Sequence, residues 1–299
     1  MSLFNSIISS TMSHLPKWAA KPFAKPYVAG ESIDEVLEIV EDLNSSGFSA
    51  TIDILGEFVE NKDGAKRVRK QYEDLIGLIF KKKINSTISI KLTHIGLDLD
   101  YLFCKNQLIQ LTSFAMKKNV GITIDMESSK YTDDIYKLYR TANKLYPKVG
   151  AVTQAYLHRS LNDVKELNGP NCNLRVCKGI YSESSEIAIT DKKEINENFK
   201  LLVETILNGK GYACIATHDL DLIKNCENFI QRHEIPPSRF EFQVLYGVPM
   251  KKKLDHLKEQ GHKVTVYVPF GVSWFEYSIR RLKENPKVVS YVIKNFFNR

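Results

Sequence analysis

The sequence lacks the short motifs of several well-known protein classes. No glycine-rich dinucleotide turn follows the first predicted strand, at residues 53–57, and no GxxxxGK phosphate loop or HExxH zinc pair occurs anywhere. No serine or cysteine stands in a nucleophile signature, so acyl transfer has no candidate residue. These absences argue against an open dinucleotide-binding sheet, a P-loop enzyme and a zinc protease, and no metal site is predicted.

Cysteines are few, and long apolar runs are absent. The five cysteines, at positions 104, 172, 177, 214 and 226, form no CxxC pair and no zinc spacing. An odd and scattered set in a chain of 299 residues predicts free thiols in a reducing compartment. No run of about eighteen apolar residues occurs, so no membrane span is predicted. We therefore expect a cytoplasmic protein.

Acidic residues are missing from the first 30 positions, which contain Lys17, Lys21 and Lys25 but no arginine. This stretch predicts an N-terminal helical arm, residues 1–30, ahead of a catalytic domain at residues 31–299. The net charge of +7 suits an anionic small molecule or attraction to an anionic membrane face. A peripheral contact with the inner face of the membrane is therefore a hypothesis. No basic stripe with interleaved aromatics occurs, so no nucleic-acid partner is predicted, and a non-catalytic nucleic-acid binder that uses the lysine runs at residues 81–83 and 251–253 is a minor alternative.

Short β-branched runs alternate with amphipathic helices along the chain. The predicted strands are residues 48–55, 87–92, 120–126, 149–154, 174–179, 212–218, 240–247 and 263–268. The predicted helices between them are residues 65–82, 102–119, 131–146, 156–167, 192–208, 219–233 and 250–260, with one more at 31–46 before the first strand. Eight such units in roughly 250 residues indicate a parallel (β/α)8 barrel of the TIM type. An open doubly wound sheet is the alternative.

Nearly every predicted strand ends in a polar or ionisable residue. These residues are Asp53, Lys91, Asp125, Gln154, Arg175 with Lys178, Thr217 with His218, Gln243 with Tyr246, and Tyr267. In such barrels the active site lies at the C-terminal ends of the strands. Because a buried charge costs several kcal/mol unless it is paired, this ring predicts a bound ligand or a dense ion-pair network.

Positive charge dominates this predicted mouth. Its cations are Lys91, Arg175 and Lys178, together with Arg280 and Arg281 on a predicted amphipathic helix at residues 272–284. Two adjacent guanidinium groups suit one carboxylate or phosphate, although a solvated basic turn is the simpler explanation of the pair alone. A substrate carboxylate plus a phosphorylated cofactor would use all five cations.

Two other activities remain open from the residues alone. A Schiff-base lyase or aldolase would use Lys91 or Lys178 as its amine. A glycosidase would use Asp53 and Asp125 as paired carboxylates, which would leave the cations unexplained.

Nine stretches in order resemble one known family. They are VAGE (28–31), IKL (90–92), IDME (124–127), QAYLHR (154–159), RVCKGIY (175–181), ATHD (216–219), FEFQVLYG (240–247), YVPFG (267–271) and RRL (280–282). On these stretches, from about Tyr27 onward, the chain resembles the monofunctional, FAD-dependent proline dehydrogenases. The resemblance implies non-covalent FAD, oxidation of L-proline to Δ1-pyrroline-5-carboxylate as the first step of proline catabolism, and transfer of the electrons to a quinone-type acceptor.

The resemblance also implies roles for individual residues. Asp125 and Arg175 match the catalytic acid–cation positions. The substrate-binding positions match Lys91, Arg280, Arg281, Tyr246, Tyr267 and Tyr277. The FAD-binding positions match Met126, Gln154, Lys178, Gly179, Ile180, Thr217 and His218. Glu284 would orient the arginine pair. Ile180 departs from the family, which usually has alanine there.

Overall fold

The computed structural model describes residues 27–275, 277 and 278. The main helices and strands of this part of the chain are, in order, α1 (Ile33–Ser45), β1 (Ser49–Ile54), α2 (Lys62–Lys82), β2 (Ser86–Ile90), α3 (Tyr101–Lys118), β3 (Ile122–Ile124), α4 (Thr132–Leu145), β4 (Val149–Gln154), α5 (Ser160–Leu167), β5 (Asn173–Cys177), α6 (Lys192–Asn208), β6 (Tyr212–Ala216), α7 (Leu220–Arg232), β7 (Phe240–Leu245), α8 (Lys251–Glu259) and β8 (Val264–Phe270). Short 3-10 turns follow β2 and precede α4 and β7.

The eight strands form a closed parallel barrel in sequence order. Strand β1 pairs with β2 on one side and with β8 on the other, so that Asp53 lies opposite Ser89 and Pro269. The predicted (β/α)8 barrel is confirmed. The open doubly wound alternative is wrong for this chain, because the β1–β8 pairing leaves the sheet without an edge.

Alternate residues of the strands face either the helices or the barrel interior. On β7, Phe240 and Phe242 are almost fully buried in the hydrophobic core between the sheet and the helices. Glu241 and Gln243 occupy the alternate positions and hydrogen-bond to each other inside the barrel. On β7 the aromatic residues thus face the helices, and the polar residues face the barrel interior.

The largest difference between a predicted helix and the observed one concerns the helix after β4. The predicted helix at residues 156–167 begins only at Ser160. The residues before it pair with the loop after β5: the amide of Ile189 donates to the Tyr156 carbonyl over 2.7 Å, and a bridge joins Leu157 to Ala188. This loop, which follows Lys178, is thereby held against the barrel beside β4.

The first described residues pack at the mouth end of β8. The amide of Ala29 donates to the Pro269 carbonyl over 2.8 Å, and that of Gly271 donates to the Gly30 carbonyl over 3.0 Å. The rest of the predicted N-terminal arm lies outside the described residues, as do Arg280, Arg281 and Glu284. In the described ranges, no helix combines the length and the apolar character needed to span a membrane.

Candidate active site

Asp125, immediately after β3, is the centre of a buried polar network at the barrel mouth. Its Oδ1 accepts hydrogen bonds from Arg175 Nη1 at 2.6 Å and from Ser89 Oγ at 2.7 Å. Its Oδ2 accepts from the Tyr267 hydroxyl at 2.9 Å and lies 3.5 Å from Lys91 Nζ. The barrel therefore brings together residues from the region of four strands, and two of the five predicted cations, Lys91 and Arg175, meet at the Asp125 carboxylate.

Asp53, at the end of β1, is the second carboxylate of this network. Its two oxygens lie 3.1 and 3.3 Å from Lys91 Nζ, and the residue is 1% exposed. Sequence reasoning noted Asp53 as a strand end but assigned it no role in proline oxidation. The pairing of β1 with β2 places Asp53 opposite Ser89, two residues before Lys91. This neighbourhood can be recognised only after the two strands have been paired.

The ionisable groups of this network differ in the direction in which the barrel shifts their pKa values. Burial raises the pKa of Asp125, but the attraction of Arg175 and Lys91 outweighs it and holds that pKa below its usual range. Burial is also the largest effect on Asp53 and raises its pKa to about 6, with Lys91 opposing the shift. Lys91 itself is disfavoured by burial but is held charged by Asp53 and Asp125, so its pKa lies well above the usual value.

This state of Lys91 bears on both alternative activities. A Schiff base needs a neutral amine, and a lysine whose ammonium form is stabilised by two carboxylates is poorly suited to that role. A glycosidase needs two carboxylates facing a sugar, whereas here Lys91 Nζ lies 3.1 Å from Asp53 and 3.5 Å from Asp125. Lys178, the other lysine that could form a Schiff base, pairs with Asp219 Oδ2 at 2.8 Å. Neither alternative is favoured by the geometry.

The Arg175 side chain crosses the barrel interior from β5. Its Nε donates to Gln243 Oε1 over 2.6 Å, and its guanidinium carbon lies 5.2 Å from the centre of the Tyr267 ring. Its Nη2 is buried and has no hydrogen-bond partner in the part of the chain that the structure describes. A buried donor without a partner costs about 1–3 kcal/mol, so this group fits a ligand acceptor.

A cavity of about 610 Å³ opens at the mouth beside this network. Its lining includes the predicted residues Lys91, Asp125, Met126, Gln154, Arg175, Lys178, Gly179, Ile180, Thr217, His218, Tyr267 and Tyr277, and also Asp53, Gln243 and Leu245. The predicted site residues thus come together at one cavity, apart from Tyr246 and the two arginines that lie outside the described residues.

Tyr246 takes a different direction from the one expected. Its side chain packs against the hydrophobic core, whereas Leu245 lines the cavity. The reason is the alternation along β7, where Gln243 and Leu245 share the interior face. The signal in the sequence was this period of two, counted from Gln243.

The loops after β5 and β6 form the other side of the cavity. Lys178 Nζ pairs with Asp219 Oδ2 at 2.8 Å, and Asp219 also caps α7 by accepting from the Asp221 and Leu222 amides. His218 Nε2 accepts the amide proton of Leu245 over 2.9 Å, so the ring carries its proton on Nδ1.

Gly179 allows the loop after β5 to pass close to an aromatic ring. Its φ is +108°, and a Cβ added there would lie 2.1 Å from a ring carbon of Tyr156. Only glycine fits this combination of left-handed backbone and close approach. The predicted cofactor position at Gly179 is therefore also a structural requirement of the loop.

Glu127, in the loop after β3, connects this loop to the segments that contain Thr93 and Gln154. Its carboxylate accepts the Thr93 amide at 3.1 Å and the Thr93 hydroxyl, and its backbone oxygen accepts Gln154 Nε2 at 3.0 Å. Burial raises its pKa to about 7. Across the described ranges, no group of three or more His, Cys, Asp or Glu residues is arranged to hold a metal ion.

The fold and the site together define a (β/α)8-barrel enzyme whose mouth combines a buried ion-pair network with a deep cavity. The sequence model of one family, proline dehydrogenase, matches residues 36–294. Proline dehydrogenase 1 of Bacillus subtilis (strain 168) is 37% identical over 276 residues, which cover 92% of this chain and 91% of the relative. Proline dehydrogenase of Deinococcus radiodurans is 32% identical over 279 residues, covering 91% and 89%. The chain therefore belongs to the proline dehydrogenase family, as predicted.

Solved structures agree on the fold. Proline utilization A from Bdellovibrio bacteriovorus superposes with a TM-score of 0.82 at 23% identity, covering 88% of this chain and 32% of that one. The chain spans about a third of the length of that larger protein. At this level of identity the likeness supports the barrel architecture alone.

Proposed function

We propose that this protein oxidises L-proline to Δ1-pyrroline-5-carboxylate, with non-covalently bound FAD as the hydride acceptor. Family membership supports the oxidation of proline. The observation that carries the assignment within the site is the buried set of Lys91, Asp125 and Arg175 around the mouth cavity. This set offers cations to a small anion, and one donor of Arg175 has no partner among the described residues.

The residues present fit a flavin. The Nη2 group of Arg175, which has no partner within residues 27–275, 277 and 278, needs a buried acceptor, and the carbonyl oxygens and ring nitrogens of an isoalloxazine are acceptors. Lys178 near the start of α7 suits a phosphate group, since helix N-termini and cations both favour anions. The residues that would hold FAD are Met126, Gln154, Arg175, Lys178, Gly179, Ile180, Thr217 and His218. When bound, FAD supplies the two-electron acceptor for the hydride.

The remaining residues orient the substrate. Lys91, held as an ammonium ion, attracts the proline carboxylate together with Arg280 and Arg281, and each charged hydrogen bond contributes about 1.5–3 kcal/mol. Tyr267 and Tyr277, which line the cavity, would enclose the small ring and exclude water from it. The substrate amine must lose its proton before hydride leaves the adjacent carbon, because the nitrogen lone pair forms the new C=N bond.

Arg175 has a further role in this proposal. Its charge is fixed by Asp125, and it would stabilise the negative charge that develops on the flavin during reduction. The pair Arg175–Asp125 therefore acts on the transition state, whereas Lys91 and the arginine pair act mainly on binding.

The electron acceptor and the membrane contact belong to the same proposal. We assign the electrons to a quinone-type acceptor, and a peripheral contact through the basic N-terminal arm would bring a cytoplasmic enzyme to it. We propose that the chain consists of an N-terminal arm at residues 1–30 and a barrel domain at residues 31–299. Deletion of the first 25 residues should reduce co-sedimentation with anionic liposomes, and unchanged co-sedimentation would refute this contact.

The central experiment is anaerobic flavin bleaching. The purified protein should show flavin absorbance that disappears on addition of L-proline. Arg281→Met should raise KM for proline by about tenfold or more, consistent with the loss of one charged hydrogen bond, while the FAD content stays unchanged. A colourless protein that stays inert after addition of FAD, or equal loss of FAD and proline binding in Arg281→Met, would refute the assignment.

A further inference from the structure

A chain of hydrogen bonds runs through the barrel interior from the mouth toward the opposite end. Arg175 Nε donates to Gln243 Oε1 over 2.6 Å, and Gln243 Nε2 donates to Glu241 Oε1. Glu241 Oε2 lies 2.5 Å from Lys263 Nζ and 3.0 Å from the Tyr212 hydroxyl. Lys263 precedes β8, so the path connects an exposed cation at the far end of the barrel with the guanidinium at the mouth.

The two ends of this path leave the amide of Gln243 only one orientation. Arg175 Nε can only donate, so the side of the amide that faces it must be the carbonyl oxygen. Burial raises the pKa of Glu241, but Lys263 outweighs it and holds that pKa below the usual range, so its carboxylate only accepts. The other side of the amide must therefore be the NH2 group.

Strand β6 leaves room for this path. Cys214 is the register partner of Arg175 on one side and of Glu241 on the other. Its small side chain separates β5 from β7 at this level, and the arginine extends past it to reach Gln243.

The guanidinium of Arg175 is consequently held on two edges. Nε is held by Gln243, and Nη1 is held by Asp125 and Ser89 at 2.6 and 3.0 Å. Because the group is planar and rigid, two held edges determine the position of the third. The third edge is Nη2, the donor that has no partner in the described residues.

We propose that Gln243 and Glu241 are positioning residues for Arg175. Gln243 supplies the acceptor that sets the plane of the guanidinium, and Glu241 prevents the Gln243 amide from turning over. The ion pair with Lys263 keeps Glu241 in place from the far end. This inference rests on the proposed function, since it assigns the third edge of Arg175 to the flavin.

Gln243→Met tests the first link, because it removes the acceptor and approximately conserves volume. Removing one donor from a developing anion costs about 10²–10³ in rate, so a donor that is present but badly aimed should cost about tenfold in kcat. The flavin midpoint potential should fall in parallel, by about 30 mV for a tenfold weaker stabilisation of the two-electron reduced form. KM for proline should change by less than about twofold, since Lys91 and the arginine pair are untouched.

Glu241→Gln tests the second link. The new amide can donate to Gln243 as well as accept from it, so the orientation of Gln243 is no longer fixed. We expect a smaller fall in potential in the same direction. The double variant should fall no further than Gln243→Met alone, because both residues act through the same bond to Arg175. Tyr212→Phe is the matched control: it removes another partner of Glu241 and should leave the potential and kcat unchanged.

The outcomes separate this inference from the proposed function. If the native protein is not bleached by proline, the proposed function fails. If the native protein is bleached but the potential of Gln243→Met equals the native value, the positioning role is refuted, whatever happens to the melting temperature. A shift in Gln243→Met without one in Glu241→Gln would refute the part assigned to Glu241. If Gln243→Met does not fold, the potential of Glu241→Gln decides alone.

Discussion

Glu127 is a buried carboxyl group whose ionisation opposes folding near neutral pH. The residue is 2% exposed, and burial is the largest cause of the rise of its pKa from 4.5 to about 7. In the variant Glu127→Gln, the side-chain amide oxygen can still accept the Thr93 amide, while the Thr93 hydroxyl can turn to accept from the new NH2 group. The substitution therefore removes the titration and keeps the local hydrogen bonds.

The size of the effect follows from the two pKa values. Below about pH 4.5 the group is protonated in both the folded and the unfolded chain, so it contributes no pH dependence. As the pH rises toward 7, the unfolded chain releases this proton first, and the stability of the folded protein falls. A shift from 4.5 to about 7 corresponds to about 3 kcal/mol, reached above the folded pKa.

Urea unfolding near pH 4.5 and near pH 8.5 measures the contribution of Glu127 ionisation to the free energy of unfolding. The free energy of unfolding of Glu127→Gln minus that of the native protein should be about 3 kcal/mol larger at the higher pH, because only the native protein loses stability between the two pH values. The same substitution at Glu166, whose side chain is 70% exposed, is the matched control and should show no comparable pH dependence. A difference for Glu127→Gln that does not change with pH would refute the reasoning.

Two further substitutions test the binding site. Lys91→Met removes the cation between Asp53 and Asp125, so KM for proline should rise by about tenfold or more with the flavin content retained, and steady-state kinetics with an unchanged KM would contradict its role. Gly179→Ala forces a Cβ to within 2.1 Å of the Tyr156 ring at a left-handed φ, so the melting temperature and the affinity for FAD should both fall. Gly169→Ala, where a Cβ meets nothing within 4 Å, is its control, and equal losses in both variants would contradict this explanation.

Much of the barrel could be predicted because its signal is local. Each strand is a short run bounded by a helix or a turn, each connection contains a helix, and eight repeats leave little choice of architecture. Asp219 could be predicted as a helix cap because the amides that donate to it lie two and three residues away. Tyr246 could not be placed by the same reasoning, because the strand end was interpreted without counting the alternation from Gln243.

Contacts between distant residues were beyond local reasoning. The bond between Tyr267 and Asp125 joins residues 142 positions apart, and that between Arg175 and Ser89 joins residues 86 apart. Whether Lys91 pairs with Asp53 or with Asp125 depends on the stagger of neighbouring strands. Gln243 lies beside Arg175 although β6 separates their strands, with Cys214 the register partner of Arg175 and Ala216 that of Gln243.

The amino-acid sequence by itself determined the fold class, the family and the kinds of charge at the strand ends. These follow from periodicity and from motifs that occupy a few consecutive residues. Only the tertiary structure decided which charges meet and which donor of Arg175 has no partner among the described residues. The physical reason is that pairing depends on barrel closure and strand register, which bring together side chains from separate strands at distances of about 3 Å.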